Sequence, residues 1–307
     1  MKKIVVFGSF VVDLMARGSH LPVSGETVKC DCFRMGPGGK GFNQCVAAHK
    51  AGANVTMVTK LGTDAFSHVA LETMKSLGMD TSHVIITDEY ATGTALIMVN
   101  EVTGQNAIMV TPSACNHITD TEVDALSGLI AGADILLTQL ETNLSAIERV
   151  INIAYAMNKT IILNTAPTQP LPDYVLNKVS LVTPNEVEAG IITGIPVIDL
   201  ASAQQAAEWF LGKGVGGVII TMGKEGAFVA VGDKRKLIPA YEVSAIDTTG
   251  AGDAFNGGLV AALAEGMDLF ASCQFASATA AISVQRMGTT PSMPTRKEIE
   301  TFLRKNI

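Results

Sequence analysis

The run Asp134-Ile-Leu-Leu-Thr-Gln139, a helical stretch over 144–157, and then Thr160-Ile-Ile-Leu-Asn164 decide how the rest of this chain is read. Short apolar runs bounded by turn residues read as buried strands, and the longer stretch between them has the length of a helix. The alternation extends both ways. A helix is expected over 120–131. A short helix near 172–178, a strand at 180–183, helices at 185–193 and 201–213 and a strand at 217–221 follow. Repeated strand–helix–strand units of this kind form right-handed crossovers and a parallel sheet covered by helices. The fold class is therefore α/β, with helices on both faces of a mostly parallel sheet.

Towards the N-terminus, Lys3 to Gly8 is a first strand, Asn54 to Leu61 another, and helices are expected over 42–50 and 64–77. Towards the C-terminus, 226–231 and 236–240 read as a hairpin around Gly232-Asp233, and helices over 251–265, 268–285 and 295–304 finish the chain. Two groups of strands break the alternation, at about 14–35 and 83–111, and neither has helices of its own. They are expected to form a small second sheet standing off one α/β domain that spans 1–307. Thr94 to Val99 carries no charge, so one face of that sheet needs a cover.

Composition narrows the function. Hydrophobic residues make up 48% of the 307 and charged residues 17%, enough for a large core. The net charge is −7 with no basic run, which argues against nucleic acid and anionic membrane as partners. No apolar run approaches the ~20 residues of a membrane span. Met1 to Gly8 reads as a strand and not as a secretory signal. The five cysteines are odd in number, and Cys30-x-Cys32 has no second pair at zinc spacing. A reducing cytoplasm is the expected setting.

The chemistry gathers where strands end, the edge at which open α/β sheets bind ligands. Asp13, Glu141, Asn164, Asn185 with Glu186 and Glu188, and Thr221 to Gly226 each follow or close an expected strand. Asp247-Thr-Thr-Gly-Ala-Gly-Asp253 precedes a helix. Gly250, Ala251 and Gly252 let an anion approach their N–H groups at the positive end of that helix. Asp253 at its mouth is placed to take a proton from a hydroxyl. Gly36-Pro-Gly-Gly-Lys-Gly41 lacks the spacing of a Walker loop and does not close the first strand as a dinucleotide loop would. Its glycines suit a small polyol, with Asn43 placed to bridge two hydroxyls. Glu186 and Glu188 suit a helix start and the hydration shell of Mg²⁺.

Gly38-Gly-Lys-Gly-Phe-Asn43, Thr183-Pro-Asn-Glu-Val-Glu188, Thr221-Met-Gly-Lys-Glu-Gly226 and Asp247-Thr-Thr-Gly-Ala-Gly-Asp253 occur in that order. On these motifs the chain resembles the ribokinase family of sugar kinases from Ile4 to its end. The resemblance implies transfer of the γ-phosphoryl of ATP to the primary hydroxyl of a pentose. D-ribose is the first expectation, with 2-deoxyribose, another sugar or a nucleoside as alternatives and a non-catalytic sugar-binding protein as a more distant one. It implies Asp253 as base and Gly250, Ala251 and Gly252 as anion hole. It implies Asp13, Gly39, Lys40, Gly41, Phe42, Asn43 and Glu141 around the sugar. Asn185, Thr221, Met222, Gly223, Lys224, Glu225, Gly226, Gly252 and Ser277 would hold ATP, and Glu188 would organise Mg²⁺ through water. Asp247, Thr249, Val284, Met287, Thr289 and Ser292 match positions at which the family holds a monovalent cation, usually potassium. The small sheet would be a lid that pairs with a second copy to make a homodimer.

Three positions depart from the family pattern. Val11 stands where an Asn is usual, Phe42 where an Ala is usual, and Pro112-Ser-Ala-Cys115 replaces a usual Pro-Gly-Ala-Asn. All three are expected near the sugar, so kinase chemistry is the firmer expectation and the identity of the sugar the weaker.

Overall fold

The computed structural model describes residues 1–306. Its first strand is β1 (Lys3–Phe7), and the chain then turns through Gly8 to Phe10 into β2 (Val11–Gly18) and β3 (Cys32–Gly38). Helix α1 (Lys40–Lys50) leads to β4 (Asn54–Gly62), and α2 (Ala65–Ser76) to β5 (Val84–Thr87). The strands β6 (Gly93–Asn100) and β7 (Asn106–Thr111) follow. The helix expected over 120–131 is two, α3 (Asp120–Ala125) and α4 (Ser127–Ala131), broken at Leu126. The alternation then runs β8 (Ile135–Gln139), α5 (Leu144–Ala156), β9 (Thr160–Asn164), α6 (Asp173–Leu176), β10 (Leu181–Val182), α7 (Glu186–Thr193), α8 (Leu200–Gly212) and β11 (Gly217–Thr221). The hairpin is β12 (Ala227–Val231) and β13 (Lys234–Ile238), and α9 (Ala251–Ala264), α10 (Leu269–Ser283) and α11 (Arg296–Asn306) close the described chain.

The main sheet has nine strands in the order β13-β12-β11-β10-β9-β8-β1-β4-β5. Every pairing is parallel from β5 to β11, and only β12 runs against the rest, antiparallel to both β11 and β13. Successive side chains alternate between two cores, as strand geometry demands. Val5, Phe7 and Leu136 join the core under α5 and α8, while Ile4, Val6, Ile135 and Leu137 join the one under α1 and α9. Burying each such side chain contributes roughly 1.5–3 kcal/mol.

The second sheet has four strands in the order β3-β2-β6-β7. The segment 83–87, expected in this sheet, is instead β5 of the main sheet, parallel to β4. It follows β4 through α2 and so completes one more strand–helix–strand unit. Asp13, expected at the end of the first strand, lies inside β2 because the chain enters the second sheet straight after Phe10. Leu14, Leu96, Met35 and Met109 form one row across a face of this sheet; Met15, Ile97, Arg34 and Ile108 form a row on the other.

The strand order runs one way from β1 towards β13 and the other way towards β5, so the switch lies at β1 and β8. Two helices, α1 and α9, meet above it. At Gly257 of α9 an added Cβ would lie 2.3 Å from that of Ala47. Only glycine permits this approach, which brings the first turns of both helices together.

Candidate active site

Gly250 caps α9 with φ of 78°, a left-handed conformation that glycine adopts without strain. Beyond it the first turn is only partly closed. The Ala251 N–H is taken by the Thr248 carbonyl at 3.2 Å, whereas those of Gly250, Gly252 and Asp253 meet no acceptor among the described residues. Nothing lies within 4 Å of where a Gly252 Cβ would stand. Of the three amides expected to form an anion hole, that of Ala251 is engaged by Thr248, while those of Gly250 and Gly252, and that of Asp253 beside them, are free.

Asp253 is buried, and neighbouring residues of α1 grip both of its oxygens. Asn43 donates to Oδ2 at 3.1 Å and Gln44 to Oδ1 at 3.0 Å. Burial raises the Asp253 pKa above the ordinary carboxylate value; Lys40, Gln44 and Asn43 oppose the rise, and Glu141 adds to it. Burial also opposes charge on Lys40, but Asp253, Glu141 and Glu188 outweigh it and hold the ammonium above its usual pKa. Lys40 thus stands as a retained positive charge among three carboxylates, at the junction of the sugar motif and the Glu188 motif.

Asp13 faces the same space from β2. Its carboxylate lies against Gly38, where a Cβ would be 2.3 Å from Oδ1. Burial pushes Asp13 up to about 7, with Glu141 and Asp253 adding to the rise and Thr289 opposing it. Glu141 accepts the Lys40 N–H at 2.8 Å and contacts the Ser9 hydroxyl. Gly39 caps α1, and the Gly41 N–H faces the Ser9 hydroxyl at 3.5 Å.

Other sugar expectations change. Asn43 is half committed: one hydrogen of its Nδ2 serves Asp253 and one lone pair of its Oδ1 accepts from Thr290 at 2.9 Å, which leaves one N–H and one lone pair. Phe42 is fully buried, packed edge-on to Phe10 at 4.9 Å between ring centroids, in the core beneath the site. Cys115 is equally buried, its thiol held among Phe10, Thr59 and Lys60. Both are core substitutions, so of the three departures only Val11 stands beside Asp13 on β2. It too is buried, against Gly93.

A cleft of about 740 Å³ opens from Gly252 along the outer end of the sheet. Asn185, Thr221, Gly223, Lys224, Gly226 and Ser277 are among the residues that line it. Met222 packs into the core and Glu225 is an exposed residue outside the lining. The Tyr241–Ala245 segment, which carries no motif, forms part of the wall. A cleft of this size that ends on free N–H groups fits a nucleoside triphosphate, with its phosphates towards Gly252.

Glu188 and Asn185 form a reciprocal cap on α7, with Asn185 Nδ2 to Glu188 Oε1 at 2.9 Å and Glu188 N–H to Asn185 Oδ1 at 2.8 Å. Burial raises the Glu188 pKa, with Asn185 and Lys40 opposing the rise. No cluster of three metal-ligating side chains exists among the described residues. Mg²⁺ needs none, because it keeps several waters and takes phosphate oxygens. The Asp247 loop and 284–292 do come together. Asp247 accepts from Thr249 N–H at 3.0 Å and Gly288 N–H at 2.9 Å. The Val284 carbonyl already accepts from Ile246 and Asp247, and that of Thr289 from the Ser292 N–H and hydroxyl. Met287 is partly exposed. A cation there would draw on the remaining lone pairs of Asp247 and on backbone carbonyls such as those of Thr249 and Met287, which accept no hydrogen bond among the described residues.

A family model described as pfkB family carbohydrate kinase matches residues 1–296. The chain belongs to the pfkB family of carbohydrate kinases. This pfkB chain is 39% identical to a ribokinase of Haemophilus influenzae over 302 residues, covering 98% of each. It is 33% identical to a deoxyribokinase of Salmonella typhi over 304 residues, covering 99% of each. It superposes on a ribokinase of Arabidopsis thaliana, solved with ribose and ATP, with a TM-score of 0.90 and 28% identity, covering 99% of both chains. As a pfkB kinase it is a phosphotransferase with an alcohol acceptor. Gln44, Gln139, Asn256 and Thr290, none singled out in the sequence, join the hydrogen-bond network around Asp253 and Gly252. Only the place of Gln44 next to Asn43, and of Gln139 at a strand end, hinted at them.

Proposed function

We propose that the chain transfers the γ-phosphoryl of ATP to the primary hydroxyl of a pentose, D-ribose first. The observation that carries this is Asp253: a buried carboxylate, fixed at both oxygens, beside free N–H groups at the head of a helix. Asp253 takes the hydroxyl proton, while the amides of Gly250, Gly252 and Asp253 and the Lys40 ammonium receive negative charge. Such transfer asks mainly for positioning and charge stabilisation. Asp13 and Glu141 hold the sugar, and the cleft residues hold ATP. Glu188 would hold Mg²⁺ through water, and Asp247 would hold a potassium ion; Mg²⁺ would supply charge neutralisation at the phosphates and potassium would add positive potential beside the free amides. The second sheet serves as a lid on a single α/β domain and pairs two copies. The uncharged face of that sheet that carries Phe33, Met35, Leu96 and Met109 supports the pairing, and the five free cysteines suit a cytoplasmic setting.

Val11 favours a second reading, 2-deoxyribose. Valine neither donates nor accepts a hydrogen bond, so it leaves no polar group stranded when the sugar lacks a hydroxyl. A site built on such a bond discriminates by ~10⁴-fold or more. ADP release with a panel of pentoses, hexoses and nucleosides tests both readings. Turnover of ribose supports the first, and a ribose preference over 2-deoxyribose below ~10²-fold supports the role of Val11. Turnover of none sinks the kinase proposal. Adding KCl against choline chloride at constant ionic strength tests the cation.

A further inference from the structure

The two oxygens of Asp253 are held by consecutive residues of α1, and Gln44 is the deeper of the pair. It is fully buried. Its Nε2 donates to Asp253 Oδ1 and to Asn164 Oδ1, both at 3.0 Å, and its Oε1 accepts from Gln139 Nε2 at 2.7 Å. Gln139 and Asn164 are register partners at the ends of β8 and β9, and Thr183 follows one step beyond β10. Asn164 donates its Nδ2 to the Thr183 carbonyl at 2.8 Å.

The direction of this chain is fixed by chemistry. A backbone carbonyl only accepts, so Asn164 must turn its NH₂ towards Thr183 and its oxygen towards Gln44. Gln44 must then present its NH₂ to Asn164, and its second hydrogen falls on Asp253. Its oxygen is left to accept from Gln139. Thr183 also anchors a second arm: its hydroxyl lies 2.7 Å from Asn256 Oδ1, and Asn256 Nδ2 donates to the Gly252 carbonyl at 2.9 Å. One residue at the sheet edge thus orients both the carboxylate and the peptide of the anion hole.

We propose that Gln44 is a positioning residue of the transfer, whose carboxamide, set by Asn164 and Gln139, aims the Asp253 carboxylate at the acceptor hydroxyl. The inference rests on the kinase reading above. Each Asp253 oxygen receives one protein hydrogen bond, and the lone pairs left on the site side serve the substrate. Losing the Gln44 bond frees the carboxylate to rotate and removes a donor that favours its charged form. The other charged groups facing Asp253 are Lys40 from α1, Asp13 from β2 and Glu141 after β8; the substitutions below leave all three in place.

The experiment measures wild type, Gln44→Met and Gln139→Met in the ADP-release assay across pH, with ATP affinity by calorimetry and folding by thermal melting. Wild type without turnover on any sugar sinks the kinase reading and this proposal with it, whereas an active wild type isolates the role of Gln44. With wild type active, Gln44→Met is expected to lower kcat by about 10- to 100-fold, the span for a lost hydrogen bond to a charged group. ATP affinity stays within about twofold, since the cleft is untouched. The acidic limb of kcat/KM moves to higher pH in Gln44→Met, and by less in Gln139→Met, which loosens the amide without touching Asp253. Gln139→Met also keeps the test open if Gln44→Met fails to fold. A kcat within twofold of wild type in the folded variants, or a fall in kcat with the acidic limb unmoved, overturns the proposal.

Discussion

At the scale of residues, the site is a set of carboxylates held in unequal surroundings. Asp253→Asn removes the proton acceptor while keeping the size of the side chain, although its NH₂ then faces one of the two donors, Asn43 or Gln44. It is expected to lower kcat by ~10² to 10⁴ with ATP binding intact; a variant retaining more than half its turnover removes Asp253 as base. Asp13 offers a different readout. Its folded pKa is raised from 3.8 to about 7, so the folded chain keeps a proton that the unfolded chain releases. Stability linked to this group is fully present below about pH 4 and is lost as pH rises towards 7. Asp13→Asn has no such loss. The melting temperature of the variant minus that of wild type should therefore climb between pH 5 and pH 7 and level off above. A flat difference over that range shows that Asp13 is not held up by its surroundings.

At the scale of elements, the decisive contact is between α1 and α9. Gly257 lets the helices close, and that closeness lets Asn43 and Gln44 reach Asp253. Gly257→Ala must push Ala47 away, an overpacking that costs ~1–3 kcal/mol. Activity is expected to fall further than stability alone explains, with a loss in kcat at temperatures where the variant is fully folded. Unchanged kcat in the folded variant shows that the helix spacing does not set the carboxylate. The alternation from β8 to β11 was legible because each buried strand and covering helix has its own period and its own turn residues. The Gly-rich motifs were legible because backbone approach to an anion or a second chain demands glycine wherever it occurs. Gln44 was not legible: its partners lie at 139, 164 and 253, and nothing local marks a glutamine that bridges them. Phe42 was misplaced towards the sugar because its motif points there, while its position on α1 turns the ring to Phe10. The segment 83–87 was misplaced because a short strand carries no sign of which sheet it joins.

At the scale of the whole molecule, the second sheet is the surface left unfinished. Phe33, Met35, Leu96 and Met109 are all at least half exposed on one face, and Ile108 and Val110 are partly exposed on the other. Leu96 and Ile97 are neighbours on β6 and point to opposite faces, so they test the pairing of lids separately. Burying an unpaired carboxylate is costly. If two copies pair as proposed, one of Leu96→Asp and Ile97→Asp is expected to sediment as a monomer at micromolar concentration, and which one does so identifies the face. A wild-type chain that sediments as a 32.1 kDa monomer ends the idea. β7 is an open edge of this sheet, uncharged from Asn106 to Thr111, and it is synthesised well before α9 closes the site. Uncharged edge strands recruit one another, and charges at edges block that recruitment. During overproduction the emerging hairpin therefore meets other nascent copies before its own fold is complete, and insoluble strand-paired material competes with assembly. Met109→Lys, a charge at that edge, is expected to raise the fraction of product recovered in the supernatant after lysis. An unchanged fraction locates the loss of product elsewhere in the chain.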